Sequence, residues 1–265
     1  MKMWHHCLRD TQLSITISIV YAVRVRNMPS EMPYTDVHRV FLQALDHHGT
    51  MSAKQAYKAL LGVYGKYHDD ETMPTEDAVP EVVATINGKL HRYGQRVAFV
   101  HYEPLGVDFY VFCNQTESAI DRFQTCYTES EIALFRLILR EMACSEDHKL
   151  RPIVCLNLTT NIVGKSVSKM RAEELLEEWE KLGYFVQLDG MWCFGPRSTT
   201  EFGWYLNQNH GEQMHKCKLC SELVFYGIQC QKCPLSFHRE CMKKYLRRLS
   251  KCPGCNELWA VPVTA

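Results

Sequence analysis

Cys217-x-x-Cys220, Cys230-x-x-Cys233, His238-x-x-Cys241 and Cys252-x-x-Cys255 form four two-ligand units near the C-terminus, each with two residues between its members. A Cys-x-x-Cys turn brings two thiolates to one side of a tight knuckle, each about 2.3 Å from a shared zinc ion, and two units complete a tetrahedron. Eight such residues therefore predict two zinc ions. Both are expected to be structural, because four protein ligands leave no open position for a water nucleophile. A disulfide framework competes for the same cysteines. A histidine at a ligand position, the odd total of thirteen Cys and the lack of a convincing secretory leader weigh against it.

The order of four Cys, one His and three Cys is shared by PHD fingers and by a RING variant. PHD fingers usually carry an aromatic residue two positions before the seventh ligand, where this chain has Ser250, and a longer loop than the ten residues Met242 to Lys251. The RING reading is therefore preferred. A RING performs no covalent chemistry; it holds a ubiquitin-loaded conjugating enzyme in a reactive orientation, so no catalytic residue is expected. Leu219, Tyr245 in the basic stretch "MKKYLRRL" and Pro253 are the candidate contacts to that enzyme. Leu219 is equally suited to packing inside its zinc loop, and Pro253 to shaping its knuckle. Asn256 and Glu257 stand where RINGs often place a cation. Spacing alone leaves open which units share an ion, since nine residues between the first two pairs also suit a sequential zinc ribbon.

The elements ahead of this module must position it. The chain has 265 residues, 46% of them hydrophobic, with thirty basic residues balancing thirty acidic ones. Bulk charge thus points to neither nucleic acid nor a membrane surface. Asp36 is expected to cap a helix through Phe41 and Leu45 to Gly49, and Ser52 to start a second one to about Tyr64. A third carries Val79, Val82, Val83, Ile86 and Leu90, and two β-rich runs follow around Glu103-Pro104-Leu105-Gly106. The order then recurs. A Thr128-x-x-Glu131 capping box opens a helix to Ser145, residues 168–182 form another, and Asp189-Gly190 joins two short strands. Residues 197–209 read as a closing helix. The expected fold class is α+β: two tandem winged-helix domains followed by a two-zinc variant RING finger. Winged helices often read DNA, but Glu173, Glu174, Glu177, Glu178 and Glu180 on the second recognition-type helix would repel phosphates. Protein docking is the expected role.

Residues 13–25, "LSITISIVYAVRV", are too short to span a bilayer, and the segment is expected to be a disordered extension or a gene-model artefact, with an edge strand and then a secretory signal as the alternatives. Domain boundaries are placed at 1–32 for this extension, 33–125 and 126–210 for the winged helices, and 211–265 for the finger. Cys7, Cys113, Cys126, Cys144, Cys155 and Cys193 lie mostly in apolar runs and are expected to be buried hydrophobes.

"YTDVHRVFLQALDHHG" (34–49), "CKLCSELVFYGIQCQKCPLSFHRECMKKYL" (217–246) and "CPGCNELW" (252–259) together resemble the RING-bearing non-SMC element one family of the Smc five–six chromosome-maintenance complex. The resemblance implies a nuclear, chromosome-associated subunit paired with a MAGE-type partner and a kleisin. It also implies partner-stimulated ubiquitin ligation in homologous-recombination DNA repair, with DNA contacted through the complex and no membrane contact. By the family's cross-brace, Cys217, Cys220, His238 and Cys241 would hold one zinc, and Cys230, Cys233, Cys252 and Cys255 the other. A non-catalytic assembly subunit is the alternative.

Overall fold

The computed structural model describes residues 33–67, 73–114, 126–164 and 166–263; the apolar stretch 13–25 and Cys7 lie outside them. The protein is mixed α/β. Its first unit runs α1 (Asp36–His48), β1 (Thr50–Ser52), α2 (Ala53–Tyr67), α3 (Ala78–Leu90), β2 (Gln95–Tyr102) and β3 (Val107–Asn114). Its second runs α4 (Glu129–Cys144), β4 (Lys149–Leu150), α5 (Pro152–Asn157), α6 (Lys169–Lys181), β5 (Phe185–Leu188) and β6 (Met191–Phe194). The element order is the same in both. In each sheet the last strand is central, giving β1-β3-β2 and β4-β6-β5, all antiparallel.

Apolar periodicity builds each unit. Val37, Phe41 and Leu45 on α1 meet Ala56, Leu60 and Val63 on α2 and the five apolar residues of α3 in one buried cluster. Each fully buried Leu, Ile or Phe stabilises by about 1.5–3 kcal/mol. Thr35 caps α1 in place of Asp36, which is the first helical residue: the Thr35 backbone is extended, and its N–H donates to His38 Nδ1 at 3.1 Å. A short side chain one residue earlier leaves Asp36 free to pair with Arg39 on the surface. Helix α2 runs three residues past the expected end. In the second unit the capping box forms as expected, with Thr128 N–H donating to Glu131 Oε2 at 2.8 Å and Glu131 N–H to Thr128 Oγ1 at 3.4 Å. Asp189 and Gly190 both adopt positive φ, 51° and 73°, the combination a two-residue type I′ hairpin requires.

The expected closing helix is split into α7 (Pro196–Glu201) and α8 (Gly203–His210). Phe202 leaves helical dihedrals (φ −104°, ψ 7°) and buries its ring against Phe135 and stacked on Tyr184. Of the five described cysteines outside the finger, Cys113, Cys155 and Cys193 are buried, while Cys126 and Cys144 are exposed at the edges of α4. Among the described residues, no helix is long and apolar enough to cross a membrane.

The two units and the Cys-rich segment are fastened to one another. Tyr102 at the end of β2 donates its hydroxyl to Phe194 O at 2.8 Å, and Tyr226 donates to the same oxygen at 2.6 Å. One carbonyl at the end of β6 thus joins all three parts. Asn114 donates both its backbone N–H and its side-chain amide to Glu201 Oε1, at 3.2 and 2.8 Å. Met214 and Leu223 belong to the second unit's core, so that core runs on into the Cys-rich module.

Candidate metal centre

The module is small: a two-stranded ribbon of β7 (Ile228–Gln229) and β8 (Ser236–Phe237), followed by α9 (Arg239–Leu246). Phe237, Met242, Val224 and Ile228 form its buried centre. So few apolar residues supply little folding energy, and a domain of this size ordinarily needs a staple.

The eight residues singled out by spacing come together in two groups. Cys217, Cys220, His238 and Cys241 form one, and Cys230, Cys233, Cys252 and Cys255 the other; within each group the ligand atoms lie within 4.8 Å of one another. Units alternate along the chain, so the sequential pairing left open by spacing is not the one adopted. Cys230 and Cys255 Sγ stand 3.8 Å apart, as do Cys233 and Cys252. A tetrahedron with bonds of about 2.3 Å to its centre has edges of about 3.8 Å, so the separations suit zinc. In the first group His238 Nδ1 lies 3.3 Å from Cys220 Sγ and 3.9 Å from Cys241 Sγ. Its other nitrogen, Nε2, is 2.9 Å from Leu223 O. A proton on Nε2 donated to that carbonyl leaves the Nδ1 lone pair facing the sulfurs, which is how outer partners orient a metal-bound histidine.

Electrostatics also fits a cation. The hydrogen bond from Cys241 holds the Cys217 thiol down to about 3, and the same bond pushes Cys241 well above the ordinary range. Burial and the neighbouring thiols also push Cys220, Cys233 and Cys255 up, and several thiolates share so small a space only around a positive ion. The Lys232 backbone N–H, 3.4 Å from Cys230 Sγ, is the main cause holding that thiol down to about 7. The donor set fits two closed zinc sites, which supply folding free energy and offer no position for substrate.

The first and last ligand pairs sit on two separate knuckles of the same form. Ser221 N–H donates to Cys217 O at 2.8 Å and Asn256 N–H to Cys252 O at 3.1 Å; Cys217 N–H and Cys252 N–H return to Glu222 O and Glu257 O. Ser221 (φ 65°) and Asn256 (φ 64°) both take the left-handed conformation that closes the turn. This accounts for Asn256: asparagine tolerates that backbone better than the arginine or lysine often found after the eighth ligand. A repeat of Lys-Cys-x-x-Cys, Ser or Asn, then Glu-Leu, at 216–223 and 251–258, is the signal that announces the equivalence.

Leu219, Tyr245 and Pro253 are all half-buried. Leu219 and Tyr245 pack against the module's own core, with Leu235 and Trp259. Sequence spacing gave no hint of Glu103, whose Oε1 accepts the Arg239 backbone N–H at 3.0 Å. The tip of the first unit's hairpin thereby caps the first turn of α9 in the metal module.

Residues 38–189 match the family described as "Nse1 non-SMC component of SMC5-6 complex", and residues 217–255 match the one described as "RING-like domain". The "Non-structural maintenance of chromosomes element 1 homolog" of Drosophila melanogaster is 31% identical over 229 residues, covering 86% of this chain and 97% of that protein. The human protein of the same name is 27% identical over 227 residues, with 85% and 84% covered. A chain of the solved "Nse1-Nse3-Nse4 complex" shares the fold at a TM-score of 0.73 and 24% identity, over 87% of this chain and 99% of that one.

Proposed function

Because the chain belongs to the family of the Nse1 non-SMC component of the SMC5-6 complex, we propose that it is a RING-type ubiquitin ligase subunit of such a complex. It works with a MAGE-type partner and a kleisin, the Nse3 and Nse4 of the similar solved complex, at the chromosome, in recombinational DNA repair. Its two units, residues 33–125 and 126–210, are winged-helix docking modules, and 211–265 is the variant RING. Matching element order and matching sheet order support the winged-helix reading. The acidic face of α6 supports protein over DNA as what they bind: Arg171 is already tied to Glu131, Glu174 and Glu178, and Glu173, Glu177 and Glu180 line an open groove.

The observation that carries the ligase reading is the pair of crossed four-ligand clusters, with Leu219 and Tyr245 half-buried on the module's core. The module acts by positioning. A metal-braced surface fixed to two larger units presents Leu219, Tyr245 and Pro253 to a conjugating enzyme and restricts how its ubiquitin thioester can move. Cys217, Cys220, His238 and Cys241, and Cys230, Cys233, Cys252 and Cys255, hold the two zinc ions.

A ubiquitin-discharge assay tests this directly. The zinc-loaded protein with its MAGE-type partner is expected to accelerate discharge from a charged conjugating enzyme by at least about tenfold, and Leu219→Ala to lose most of that gain. No acceleration with any conjugating enzyme, partner present, would leave the second reading: an assembly subunit whose finger only docks proteins. The uncharged Asn256 after the last ligand favours that alternative.

A further inference from the structure

A cleft of about 380 Å³ opens where the three parts meet. The first unit contributes His101, Tyr102 and Glu103, the second Thr199, Thr200, Trp204 and Asn207, and the metal module Glu222 and Tyr226. Among the described residues, the lining contains no lysine or arginine. Several of its hydrogen-bond donors are committed inward. Tyr102 and Tyr226 both donate to Phe194 O, and Thr199 and Thr200 both donate to Pro196 O, at 3.1 and 2.6 Å. His238, which also lines the cleft, has its Nε2 engaged with Leu223 O.

Two acceptors are left without partners. Glu103 Oε2 and Asn207 Oδ1 are buried and accept no hydrogen bond. Arg239 Nε forms an ion pair with Glu103 Oε2 at 3.7 Å, a distance too long for a hydrogen bond. Burial pushes the Glu103 carboxyl up, against the pull of the Arg239 N–H and of nearby positive groups. Leaving a buried acceptor unpaired is costly, and the cost is recovered when a donor arrives. Trp204, half exposed, offers an indole face at the rim. A carboxylate whose ion pair with Arg239 leaves one oxygen without a hydrogen bond, an amide oxygen and an aromatic face lining one cleft make a receptor for a positively charged N–H donor.

We propose that this junction cleft binds a basic side chain, arginine or lysine, of a partner polypeptide, packed on Trp204 and hydrogen-bonded to Glu103 and Asn207. The volume accommodates a long side chain and a little of its backbone. Because the lining comes from all three parts, occupation also holds the metal module against both units. The inference is independent of ubiquitin transfer.

The test uses the full zinc-loaded chain and a short acetylated, amidated peptide, Ala-Arg-Ala, followed through the Trp204 indole NMR signal. The arginine peptide is expected to shift that signal saturably, and the same peptide with uncharged citrulline to bind at least about tenfold more weakly. Glu103→Gln removes the charge while keeping an acceptor for the Arg239 N–H, and Asn207→Leu, on a different element, removes the second acceptor. Each is expected to weaken arginine binding by at least about fivefold with two zinc ions still bound. No saturable shift, equal binding of the citrulline peptide, or wild-type affinity in both variants overturns the proposal. Spermidine binding more tightly than the arginine peptide also overturns it, in favour of a small polyamine.

Discussion

Glu201 and Arg197 show how much a single buried charge matters here. Their side chains are 1% and 12% exposed and 3.0 Å apart, with Arg197 stacked on the Tyr184 ring. Glu201 also accepts from Asn114 and from the Tyr184 hydroxyl at 3.3 Å, so it ties the two units together. Asp36 and Arg39, by contrast, are both more than half exposed, and such a pair contributes about 0–1 kcal/mol. Glu201→Ala leaves a buried guanidinium without its partner and is expected to cost about 3–5 kcal/mol in urea unfolding. A loss below about 1 kcal/mol would mean that water reaches this site and the junction is loose. The eight metal ligands were legible in the sequence because coordination chemistry dictates their types and spacing. The roles of Glu201 and Glu103 between the units were not, because Asn114 and Arg239 lie far along the chain from them and only tertiary packing introduces them.

At the scale of elements, the long helices and the β2–β3 and β5–β6 hairpins could be read from periodicity, caps and turns. Strands β1 and β4 have three and two residues, too few to show alternation, and they exist because β3 and β6 offer an edge. The break at Phe202 was hidden because the local pattern favours one helix, and burial of the ring overrides it. Gly183 combines a local and a distant demand. It ends α6 with φ 79°, and a Cβ there would lie 2.4 Å from Thr50 Cγ2 in the first unit. Gly183→Ala therefore meets both backbone strain and a clash between units. The expected cost is about 1–3 kcal/mol, seen as a lower midpoint of thermal unfolding. An unchanged midpoint would show that Thr50 moves aside freely.

The whole molecule is two units of like order with a metal module wedged against both. Sequence announced the Cys-rich module and, through family resemblance, the crossed ligand pairing. It did not reveal that the second core runs into the module through Met214 and Leu223, or that one carbonyl, Phe194 O, receives hydroxyls from both sides. Those contacts fasten the two units and the metal module into one mount, which the proposed role of positioning a conjugating enzyme requires. The mount depends on the two crossed metal sites, and zinc counting on paired variants addresses them most directly. With both Cys230 and Cys252 changed to Ser, one site is damaged twice and the other is left whole, so the chain should retain about one zinc ion. With Cys217 and Cys230 changed together, each site loses a ligand, and the chain should retain almost none. The reverse result, zinc lost from the Cys230 and Cys252 pair and one ion kept by the Cys217 and Cys230 pair, would establish sequential sites and contradict the account.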